Sequence, residues 1–144
     1  MKQLQKILLT VGFGIFSVSS LQADMVSEAA ALDVAKVCDV KANGLDAVLA
    51  TAAKYNAEAK KLGVEFKRLG VTNSNYIKGT TEAAKAKQKD VVLKYKAKGK
   101  EKSLKLSTDY AAWRACSFAI RALQQKSEAE STWRLAIPGD GFKY

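Results

Sequence analysis

Apolar residues recur at three- and four-residue intervals over much of this chain. The strongest such stretch is Ser107–Leu123, STDYAAWRACSFAIRAL. Tyr110, Trp113, Ser117 and Ile120 keep that spacing, as do Trp113, Cys116, Ile120 and Leu123, which predicts a helix with one broad apolar stripe. Alanines between the large residues favour helix and allow close approach, and Ser107, Thr108 and Asp109 suit its start. Arg114, Phe118 and Arg121 fall off the stripe, as a solvated basic back or a docking edge.

Ser27–Ala42 reads as a first helix, with Ser27 as N-cap, an apolar stripe at Ala30, Val34 and Val37, and a stop at Asn43-Gly44. Cys38 lies beside that stripe and faces inward. Leu45–Leu69 keeps helical spacing through Leu49, Ala52, Tyr55, Ala59, Leu62 and Phe66. It predicts a long second helix in which Gly63 is a kink, a close contact or a break, and which Gly70 ends. Val71–Gly79, rich in Asn, Ser and Thr, reads as a loop. Thr80–Lys98 reads as a third helix with a weak stripe, loosened near its end by Gly99. Lys94–Lys102 does alternate, but Ala and Lys are poor strand formers, so no strand is expected. Ser127–Ala136 continues helically with Trp133 folding back, and Pro138 with Gly139 and Gly141 breaks the helix. The expected architecture is all-α, a small bundle of about four helices.

Met1–Ala23 has Lys2 and Lys6 before an apolar run from Ile7 to Val18 and a small residue, Ala23, at its end, the layout of a secretory signal peptide. Removing 23 of the 144 residues leaves a single helical domain of 121, from Asp24 to Tyr144, exported to a periplasm or secreted. The loss of Lys2 and Lys6 takes 24 basic residues to 22 against 14 acidic ones, a net charge of about +8. No second apolar run approaches membrane-spanning length. In an oxidising compartment the two cysteines, Cys38 and Cys116, are expected to form a disulfide that joins the first and last main helices.

Histidine is absent, which excludes Ser-His-Asp and Cys-His catalysis and all His-ligated zinc, iron and haem. Asp39–Ala50 imitates a calcium loop, but Lys41 and Ala50 occupy ligand places, so no metal is expected there. Carboxylate pairs such as Asp33 with Asp39, or Glu128 with Glu130, read as solvated charges. No cofactor is expected, and the chain reads as a binding protein rather than an enzyme.

The remaining candidate is lysine. From Lys78 to Lys105 there are ten lysines against Glu82, Asp90 and Glu101, a local charge of +7. Lys94, Lys96, Lys98, Lys100 and Lys102 are its densest part, and on a helix Lys94, Lys98, Lys102 and Lys105 would share a face. Such a segment attracts anions. After export the partner is another envelope protein with an acidic surface, or an anionic envelope component such as lipid headgroups, lipopolysaccharide phosphates or cell-wall carboxylates. Nucleic acid is disfavoured by compartment and by the single interleaved aromatic, Tyr95. The alternatives are a helical subunit of an envelope assembly, or an inhibitor or chaperone-like factor using an apolar groove or the Trp133–Tyr144 tail. Apolar stripes of this kind can pack within one chain or between two.

Overall fold

The computed structural model describes residues 25–68 and 70–132. Residues 1–23, expected to form a signal peptide, and the Trp133–Tyr144 tail lie outside the described residues. A helical stretch at 25–30 (α1) leads to two short helices, α2 (Val34–Val37) and α3 (Val40–Asn43), and then to α4 (Leu45–Lys61). Two-residue strands β1 (Lys67–Arg68) and β2 (Val71–Thr72) precede α5 (Asn73–Lys85). A long antiparallel hairpin, β3 (Asp90–Ala97) and β4 (Lys100–Ser107), then enters α6 (Thr108–Thr132).

The centre of the molecule is α6, as the apolar spacing predicts. Ala111, Ala112, Ala115, Cys116, Ala119, Ile120 and Leu123 are all fully buried against a face of α4 that carries Val48, Leu49, Ala52, Tyr55 and Ala59. The run of alanines lets the helices approach closely. The Cys38–Cys116 disulfide forms, with Cα atoms 5.7 Å apart, and ties the short α2–α3 segment to this helix.

The all-α expectation is overturned: the molecule is mixed, a helical core carrying two β-hairpins. The segment taken for the end of a third helix is β3–β4. Val91, Leu93, Tyr95 and Ala97 pair with Leu106, Leu104, Lys102 and Lys100 on one face. Lys98 and Gly99 both have positive φ, 52° and 74°, as a two-residue hairpin turn of the I′ kind requires. Gly99 closes a hairpin rather than loosening a helix. Period-2 alternation of Val, Leu and Tyr outweighs the poor strand propensity of the lysines, because the apolar face at Val91 and Leu93 is buried on α5.

Three helix boundaries also move. Asp33 and Asp39, read as solvated charges, accept the first free N–H groups of α2 and α3 and break the Ser27–Ala42 helix into short pieces, while Ser27 lies inside α1. The second helix stops at Lys61. Gly63 (φ 71°) follows its cap, Gly63 N–H donates to the Lys60 carbonyl at 3.1 Å, and Val64 N–H donates to the Ala59 carbonyl at 2.8 Å, a Schellman closure. Phe66 thus leaves the helix and stacks on Phe118, ring centroids 3.8 Å apart. Val71–Gly79 is not a loop: Thr72 and Asn75 form a capping box, and α5 begins at Asn73.

Candidate functional site

The hairpin places the five lysines. Lys94 and Lys96 lie on its outer face, opposite Ser103 and Glu101, with exposed Val92 and Lys105 on the same face. Lys100 and Lys102 lie on the inner face, paired with Ala97 and Tyr95, and Lys98 occupies the turn. All five are exposed. They share no single face, in contrast to the helical expectation for Lys94, Lys98, Lys102 and Lys105. They surround the outer half of a two-stranded arm. Among the described residues the only ion pair in the hairpin is Lys105 with Asp90, 3.0 Å apart at its base.

The arm is fixed at its root. Val91 and Leu93 are buried against α5 where Gly79 leaves space, since a Cβ there would stand 2.6 Å from Leu93 Cδ2. Farther out, near the tip of the arm, Gly70 at the β1–β2 turn comes up against the β3 backbone, and a Cβ on it would meet the Lys96 carbonyl oxygen at 3.1 Å. Thr108 closes the base: its N–H donates to the Lys89 carbonyl at 2.9 Å and its hydroxyl to the Gln88 carbonyl at 2.7 Å.

Behind the arm, α5 is held to α4 and α6 by a polar cluster. Asn73, fully buried, donates to Asn56 Oδ1 at 3.0 Å and to the Ala115 carbonyl at 2.9 Å. Asn56 donates to Glu65 Oε1 at 3.0 Å, and Ser74 donates to the same oxygen from its N–H (2.7 Å) and its hydroxyl. Burial pushes the Glu65 carboxyl up, but the Asn56 and Ser74 donors outweigh it and hold it below its ordinary value of 4.5. On the other side of the core Glu28 is lowered by donors from Lys54 and Tyr55. Both carboxylates are fastenings of the scaffold. Of the three residues off the α6 stripe, Arg114 and Phe118 pack on each other, the Arg114 guanidinium lying over the Phe118 and Tyr76 rings 5.1 and 5.6 Å from their centroids, while Arg121 is exposed.

A second surface was not expected. Tyr110 and Trp113, assigned to the apolar stripe, are 45% and 37% exposed and stack on each other with centroids 5.4 Å apart. They form one wall of an open cavity of about 350 Å³, with Asp109 beside them and Ala35, Asp39, Val40 and Lys41 on the other wall. Periodicity could not reveal this, because both residues keep correct core spacing; what differs is that the side of α6 carrying Tyr110 and Trp113 faces only the short α2–α3 segment across an open cavity.

Among the described residues no cluster of three or more His, Cys, Asp and Glu side chains could hold a metal ion, and no helix is long and apolar enough to cross a membrane. No protein family, curated protein or solved structure matches the chain.

Proposed function

We propose that this chain is a non-catalytic exported binding protein that holds a lysine-armed β-hairpin out from a disulfide-tied helical core to engage an anionic partner of the cell envelope. The observation that carries this reading is the hairpin itself. Lys94, Lys96, Lys98, Lys100 and Lys102 ring one rigidly rooted arm, exposed and without an ion pair among the described residues. A charge cluster that served solubility alone would need no such rooting. The disulfide supports export, since such bonds persist in oxidising compartments, and a chain without histidine lacks the commonest general base.

Exposed cations contribute little singly, but five on one arm sum to a potential that steers anions and fades with salt. Replacing all five lysines by glutamine removes five charges while sparing Val91 and Leu93, so the fold survives. Binding is to be measured against anionic lipid vesicles, lipopolysaccharide and an acidic polypeptide at low and high salt. The expected result is salt-sensitive binding to at least one of these that the five-glutamine variant loses. Unchanged binding by that variant to all three would refute the proposal.

A further inference from the structure

We propose that the cavity beside Trp113 is a saccharide-binding site, taking a neutral sugar ring of an oligosaccharide. This rests on different residues from the lysine arm and stands or falls separately.

Tyr110 and Trp113 are two of the three large apolar side chains left exposed among the described residues, and they sit together. A Tyr and a Trp placed side by side in water, on a helix that buries Ile120 and Leu123 fully, are an anomaly that a ligand would resolve. The rest of the lining narrows its chemistry. Val40 and Ala35 continue the apolar floor, while Asp39, Asp109 and Lys41 form a polar rim. Asp39 spends Oδ1 on the N–H groups of Lys41 and Ala42, at 2.9 and 3.3 Å, and no described donor engages its Oδ2. The rim therefore offers carboxylate acceptors and one ammonium donor around aromatic faces.

A sugar ring has the matching surface: a C–H face that lies on the negative face of an aromatic ring, and hydroxyls around its edge that both donate and accept. An anionic ligand would meet two carboxylates. A simple cation suits the aromatics and the carboxylates but not Lys41. The cavity is also preorganised. Asp39, Val40 and Lys41 directly follow Cys38, and Trp113 precedes Cys116 by one helical turn, so the disulfide joins the two walls. A cavity whose walls are covalently tied loses less freedom on binding.

The experiment uses the Trp133→Phe chain, in which Trp113 is the only tryptophan, and follows its fluorescence. The probes are neutral oligosaccharides of glucose and of N-acetylglucosamine, with tetramethylammonium as a cation control. The expected result is a saturable shift with at least one oligosaccharide, insensitive to salt. Tyr110→Ala should weaken it about tenfold, the loss of one aromatic wall, and Asp109→Asn less. Both positions are exposed, so these variants should keep the circular dichroism of the parent. Saturation by tetramethylammonium alone, lost at high salt, would make the cavity a cation site and overturn the proposal. So would the absence of a saturable response to every oligosaccharide, or a response indifferent to Tyr110→Ala.

Discussion

Gly79 shows how one side chain, or its lack, positions the candidate site. It lies inside α5, where alanine would ordinarily gain about 1 kcal/mol of helix propensity. A Cβ there would meet Leu93 Cδ2 at 2.6 Å, and Leu93 is itself buried. Overpacking of this kind costs about 1–3 kcal/mol, so Gly79→Ala is expected to be destabilising on balance. Urea denaturation measures the sign, and amide exchange should show the loss concentrated in β3 and β4; a stabilised variant would mean that the hairpin root yields freely. Glu65 is the second decisive residue. Its folded-state pKa is depressed, so the native state holds fewer protons than the unfolded state just below the ordinary value of 4.5. The stability it contributes is present above that pH and is lost as pH falls through the folded value. Glu65→Gln should be less stable at neutral pH by about 1 kcal/mol, and its acid unfolding profile should be flatter over that window. Neither position announces itself in the sequence: a glycine in a polar stretch reads as loop, and a glutamate reads as surface.

At the scale of elements, the helices were legible where periodicity was dense and misread where caps and breaks decide. The α6 pattern is long enough to state itself. The α2–α3 segment reads as one helix until Asp33 and Asp39 turn their side chains onto their own backbones. Stretches rich in Asn, Ser and Thr, such as Val71–Gly79, look like loops, yet the same residues are the ones that start helices, as Thr72 and Asn75 do here. The hairpin depends on its turn. Gly99 has φ 74° with open space around its Cβ position, so Gly99→Ala carries only the backbone cost of a left-handed residue, about 1 kcal/mol. All lysines remain in that variant. If the arm acts through its shape, Gly99→Ala should weaken binding to the anionic probe without altering net charge; if charge alone matters, affinity should stay as it was.

At the scale of the whole molecule, the disulfide closes a sequence separation of 78 residues and fixes the short N-terminal helices to the central one. Opening it by reduction, or by replacing Cys38 and Cys116 with serine, should cost about 2–5 kcal/mol, read as a fall in the denaturation midpoint. The same treatment should loosen the cavity walls and weaken any Trp113 response. The sequence alone determined the central helix, because its apolar residues repeat over many turns. It determined which cysteines pair, because a chain with two cysteines offers each a single partner within the chain. It excluded histidine chemistry by composition, and it located the lysines. Tertiary structure decided what those lysines stand on: weak strand formers become strands only when Val91 and Leu93 have α5 to bury against. It likewise decided that Tyr110 and Trp113 face water, because helical spacing tells which residues share a face, while exposure depends on whether another element arrives to cover it.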